Sequence, residues 1–120
     1  MKTQSLQLLS YTDYDGSSIE LTGTEQKAAG YSSSTGTLQS VGIFTEDFIG
    51  TIYIEATIDS TPTSSSWFTV YTFNGDGSSA NDSTARFWNE VQNITGKYTW
   101  IRARVDNQSQ GTIHKVTLSY

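Results

Sequence analysis

Thr51-Ile52-Tyr53-Ile54-Glu55-Ala56-Thr57-Ile58 decides the fold class. Ile52, Ile54, Ala56 and Ile58 fall on one side, and Thr51, Tyr53, Glu55 and Thr57 on the other. Alternation of this kind puts every second side chain on the same face of an extended chain, the pattern of a half-buried antiparallel strand. The expected core face is Ile52, Ile54 and Ile58, with the Thr51, Tyr53 and Glu55 face toward solvent. The polar run Asp59 to Ser66, which holds the single proline, Pro62, closes the strand.

The same reading works outward. Trp67 to Phe73 is a second strand, closed by Asn74-Gly75-Asp76-Gly77. Tyr98 to Val105 is a third, with Ile101, Ala103 and Val105 on its core face and Trp100, Arg102 and Arg104 opposite. Asp106 to Gly111 carries turn residues, and Thr112 to Tyr120 reads as a last strand, so the two runs predict a terminal hairpin. Weaker strands are expected at Ser5–Leu9, Ser18–Leu21, Thr37–Phe44 and Thr84–Val91. No window has the period of an amphipathic helix. Seven or eight strands in 120 residues predict one all-β domain over residues 1–120, an antiparallel β-sandwich or jelly roll.

Composition narrows the function. Ser and Thr make up 35 of 120 residues, which suits strands joined by small polar loops. With no cysteine there is neither a disulfide framework nor a thiolate metal site. A net charge of −5 with scattered Lys and Arg argues against nucleic acid, which needs a concentrated basic surface. The run Leu6-Gln7-Leu8-Leu9 is too short for a membrane span or a signal-peptide core, so no membrane insertion and no secretion signal are expected.

Candidate chemistry is sparse. His114 is the one histidine, and no Ser or Asp motif suggests a triad around it. No catalytic residue, metal or cofactor is therefore expected. Asn74 to Asp82 offers oxygen ligands of the kind calcium takes, without the spacing or terminal Glu of an EF-hand. It is expected to be a hairpin loop, with calcium as the open alternative. The sequon matches at Asn81, Asn93 and Asn107 are what chance produces in so Ser- and Thr-rich a chain.

Trp100, Arg102 and Arg104 on one strand face would offer a stacking plane and bidentate donors to a carboxylate or sugar. Tyr98 and Trp88 join them as a candidate ligand or partner surface, with Trp67 and the other tyrosines as further rings. The alternative is that the tryptophans close the ends of the core while the arginines pair with Glu or Asp.

Three stretches in order carry a resemblance. They are Gln26-Lys27-Ala28-Ala29-Gly30-Tyr31 leading to Leu38-Gln39-Ser40-Val41; Phe48-Ile49-Gly50 running into the opening strand and then Trp67-Phe68; and Ile94 to Val105 followed by Gly111-Thr112-Ile113. The arrangement resembles small β-sandwich structural domains encoded by tailed bacteriophages, especially contractile-tailed phages of marine cyanobacteria. The resemblance implies a virion component of a fibre, baseplate or capsid surface, made in the host cytoplasm and working beside other virion proteins. It implies no catalytic residue. Jelly-roll carbohydrate-binding domains have a similar strand order, so a cell-surface glycan is a further expected partner and a stand-alone glycan-binding module the alternative function. Tyr120 ends the chain on an aromatic within a strand pattern, and both ends read as having something to pack against. A homo-oligomer is expected, a trimer first.

Overall fold

The computed structural model describes residues 5–17, 20–31, 35–76 and 87–120. The described residues form eight strands: β1 (Ser5–Leu9), β2 (Thr12–Asp13), β3 (Leu21–Thr22), β4 (Gln26–Lys27), β5 (Leu38–Thr57), β6 (Phe68–Asp76), β7 (Phe87–Thr95) and β8 (Trp100–Ser119). All belong to one antiparallel sheet. β5 and β8 pair along almost their whole length; β6 and β7 share the other side of β5, and β1 to β4 share the other side of β8.

This sheet folds over on itself. A 20-residue strand would extend about 65 Å, yet the longest dimension of the molecule is 48 Å. Lys27 pairs with Trp100 at the start of β8, and the hydroxyl of Tyr120, just past its end, donates to the Lys27 carbonyl at 2.7 Å. The two ends of β8 are thus brought together, and the first and second halves of β5 and β8 lie in facing layers. One layer has β7, the 38–46 half of β5, the 112–119 half of β8, and β1 with β2. The other has β6, the 49–57 half of β5, the 100–106 half of β8, and β3 with β4. The result is a β-sandwich built from one sheet.

The corner is made where β5 and β8 both leave regular geometry. Asp47 and Asn107 have φ of 51° and 55°, Gly111 has 91°, and the β5–β8 register shifts on either side of Ile49. Bulges of this kind bend a strand without ending it. A Cβ on Gly111 would run into the Asp47 carbonyl, so the two strands cross here only because the position is glycine. Phe48, 3% exposed, plugs the corner and stacks on Phe73 with centroids 6.4 Å apart.

Between the layers lies a single core. Val41, Ile43, Val116 and Leu118 from one side meet Ile52, Ile54, Ala56, Ile101, Ala103 and Val105 from the other, every one inaccessible to solvent. Leu8 and Leu9 close it from the N-terminal segment. Burying each Ile or Leu contributes about 1.5–3 kcal/mol.

Four expectations are corrected. Asp106 to Gly111 is not a hairpin turn: the chain continues in the same direction as β8, because β5 runs beside it throughout and the turn residues supply a bend. Thr37–Phe44 and Thr51–Ile58 are likewise parts of one strand, β5. Ile58 is 67% exposed, since β5 ends at Thr57 and the chain turns outward. Glu55 and Thr57, expected on a solvated face, are buried at 7% and 1%. Thr57 is covered by the following loop, whose Asp59 amide donates to its hydroxyl and whose Asp59 carbonyl accepts from Thr99. At the margins, Trp67 and Tyr98-Thr99 precede their strands, and Asn74-Gly75-Asp76 belongs to β6. Ser18 and Ile19 of the Ser18–Leu21 expectation, and residues 77–86, lie outside the described residues.

Candidate functional site

The outer face of the β5–β8 pair carries most of the predicted surface. Register places Tyr53 opposite Arg104, Glu55 opposite Arg102 and Thr57 opposite Trp100. Side chains directly opposite in an antiparallel pair lie close enough to interact. The Glu55 carboxylate is therefore shared: Oε1 accepts from Nε of Arg102 at 2.8 Å and Oε2 from Nε of Arg104 at 3.0 Å. Each guanidinium also lies on a ring at 4.3 Å, Arg102 on Trp67 and Arg104 on Tyr53. Asp106 stands 3.9 Å from Nη1 of Arg104.

The electrostatics follow from this packing. Two cations on one buried carboxylate would leave excess positive charge, and Asp106 offsets it. The hydrogen bond to Glu55 raises the Arg104 pKa above its ordinary value, against the opposing pull of burial. Arg102 donates to Glu55 through Nε, and its side chain keeps 21% exposure. Trp100 extends the row. Its Nε1 donates to the Ser60 carbonyl at 3.2 Å, and its ring meets Tyr31 edge-on at 5.2 Å, with Lys27 over Tyr31 at 4.5 Å. On this face the arginines pair with acids, and Arg102 and Arg104 each also stack on a ring.

Tyr98 sits elsewhere. It packs edge-on against Phe68 at 5.8 Å, at the mouth of an open groove of about 410 Å³ between the two layers. Phe68 and Tyr71 of β6 form one wall, and Ile94 of β7 with Tyr98 the other. The backbone of Trp88 belongs to β7, and its side chain lies outside the described residues, as do Asn81 and Asp82 of the calcium alternative. His114 is half-buried on β8, 3.1 Å from Glu46 and edge-on to Tyr11. Asn93 accepts from the Ser40 hydroxyl, and Asn107 serves the corner.

Sequence reasoning did not single out Glu55 for this surface, and it included Tyr53 and Tyr31 only among the tyrosines as a class. The signal for the first two was available: they alternate with Ile52 and Ile54, so they had to share a face. Which strand would lie beside that face was not available.

The molecule is thus a two-layer antiparallel β-sandwich with a stacked arginine–aromatic outer face. No protein-family model matches the chain, and no curated protein matches it in sequence. Among solved structures, it is similar to a chain of infectious bursal disease virus, Gt strain, with a TM-score of 0.47 and 14% identity over 98% of this chain. The VP2 subviral particle of the same virus gives 0.46 and 12% over 98%. The K3 cleaved adhesin domain of Lys-gingipain from Porphyromonas gingivalis W83 gives 0.49 and 8%, over 98% of this chain and 69% of that one. This chain spans about a third of the two viral chains, 31% and 32%. At TM-scores below 0.5 these likenesses carry no functional assignment.

Proposed function

We propose that this protein is a non-enzymatic component of a tailed-phage virion, part of a fibre, baseplate or capsid surface. It acts through assembly beside other virion proteins, with contact to a host-surface glycan as a second role. The observation that carries the reading is the outer face around Glu55. Its charged groups are held by one another, and its rings are fixed by the guanidiniums stacked on them. A surface ordered in this way before contact loses little side-chain freedom on binding, which favours recognition. The order of strand motifs supports the phage setting.

Mass spectrometry of gradient-purified particles, with antibody labelling in electron micrographs, tests this. The protein is expected at fixed stoichiometry in intact particles. Its absence from particles, with abundant free protein in the lysate, refutes the virion reading.

One observation favours a stand-alone glycan-binding module as the second reading. Arg102 lies on the Trp67 ring and shares its strand face with Trp100, a donor on a face that carries stacking planes. Glycan-array binding that is lost in Trp100→Ala, in a protein absent from particles, selects that reading.

A further inference from the structure

Both lateral sides of this sandwich end in edge strands, short ones of two to five residues beyond β8 and nine-residue ones beyond β5. On the β8 side, β1, β2, β3 and β4 pair in turn with residues 119–116, 113–112, 105–104 and 101–100. On the other side β6 and β7 each end a layer, pairing only with β5 among the described residues, and β7 carries a charge near its centre, Glu90. An unpaired edge is a template for another strand, and proteins that avoid such pairing usually place charges or proline on it. β6 has neither before Asp76: no charged residue occurs between Asp59 and Asp76, in a chain of net charge −5. Phe68 is 44% exposed at its start and lines the groove described above.

What would occupy this edge can be read from β6 itself. Phe68-Thr69-Val70-Tyr71-Thr72-Phe73 is a near-palindrome, broken only by the central Val and Tyr. Two copies laid antiparallel about a two-fold axis between Val70 and Tyr71 would match Phe68 with Phe73, Thr69 with Thr72 and Val70 with Tyr71. Aromatic–aromatic, Thr–Thr and aromatic–β-branched matches are the favourable cross-strand combinations. The faces agree as well. Phe68, Tyr71 and Phe73 lie opposite Ala56, Ile54 and Ile52, which face the core. Thr69 and Thr72 lie opposite Glu55 and Tyr53 on the outer face, and Val70 is the extra residue of a bulge between the two sets. The bulge puts Phe68 on the same side as Phe73, as the two-fold match requires.

We infer that β6 is a self-association edge, joining two copies of this chain by antiparallel β6–β6 pairing about a two-fold axis. The layer that contains β6 then runs unbroken through both copies, and the partner's inward side chains lie over the mouth of the groove. An interface of this kind is self-complementary by symmetry. A three-fold ring alone contains no such axis; the two coexist in a dihedral or cubic assembly. The inference stands on the edge itself and does not require the virion reading.

Sedimentation and light scattering over a concentration series test it, with charge placed on two exposed positions. In the paired register, Thr69→Lys with Thr72→Lys sets lysine directly against lysine twice. Thr69→Glu with Thr72→Lys sets opposite charges at the same places. The wild-type chain is expected to dimerise with a Kd between about 1 µM and 1 mM. The double-lysine variant should weaken the dimer at least about tenfold, and the Glu/Lys variant should return it to near the wild-type value. Circular dichroism and thermal melting confirm that both variants stay folded. A wild type that is monomeric at about 1 mM overturns the inference. So does a dimer that both folded variants leave unchanged, or one that the Glu/Lys pair fails to restore.

Discussion

Glu55 shows how one residue organises a surface. It is 7% exposed and serves two arginines, so its removal leaves two partly buried guanidiniums without their main counter-charge. Breaking a fully buried ion pair by removing one partner costs about 3–5 kcal/mol. Here Arg102 and Arg104 retain 21% and 33% side-chain exposure, and water screens them in part. Glu55→Gln should therefore cost about 1–2 kcal/mol, read as a shifted midpoint in urea denaturation with unchanged slope. It should also loosen Trp67, seen as a shift in tryptophan fluorescence. The raised pKa of Arg104 gives no pH dependence in the working range. Its stabilising effect is present below the ordinary arginine value and is lost only as pH rises through the raised one.

At the scale of elements, the corner separates a long bent strand from a hairpin. Asn107 and Gly111 both hold positive φ, for different reasons. Asparagine tolerates the left-handed region, so Asn107→Gly should change stability by less than about 0.5 kcal/mol. Gly111 is pressed against the Asp47 carbonyl as well as held at φ 91°. Gly111→Ala should therefore cost about 2–3 kcal/mol, measured by the same denaturation. Equal effects at the two sites would mean that backbone angle alone, and not the close crossing of β5 and β8, governs the corner.

For the whole molecule, closure depends on contacts between segments far apart in the chain. β1 pairs with the last residues of β8, and Tyr120 reaches the Lys27 carbonyl. Such topology folds slowly, because loop-closure entropy is lost before the pairing is gained. Tyr120 is the clasp between the ends of β8. Burial raises its phenol above the ordinary 10.0, which keeps it in the neutral form that can donate. Its contribution is thus fully present below pH 10.0 and lost as pH rises through the raised value. Tyr120→Phe should lower stability by about 0.5–1 kcal/mol near neutrality. Denaturation midpoints followed across alkaline pH should fall less steeply in this variant than in the wild type.

Alternation along single strands was enough to specify the all-β class, the core faces Ile52-Ile54 and Ile101-Ala103-Val105, and the common face of Trp100, Arg102 and Arg104. These are period-two properties, carried by neighbours in the chain and independent of what lies beside them. The fold-over was not legible, because Asp106 to Gly111 has the composition of a turn whether the chain reverses or only bends. The choice depends on β5, about sixty residues away, which pairs with β8 on both sides of the bend. Burial of Glu55 was hidden for the same reason: a carboxylate between a Tyr and a Thr reads as solvated until register brings two arginines onto it. Separation of Tyr98 from Trp100 also required the tertiary structure. The strand begins at Trp100, so the alternation that joins Trp100 to Arg102 and Arg104 stops short of Tyr98 and leaves it at the mouth of the groove.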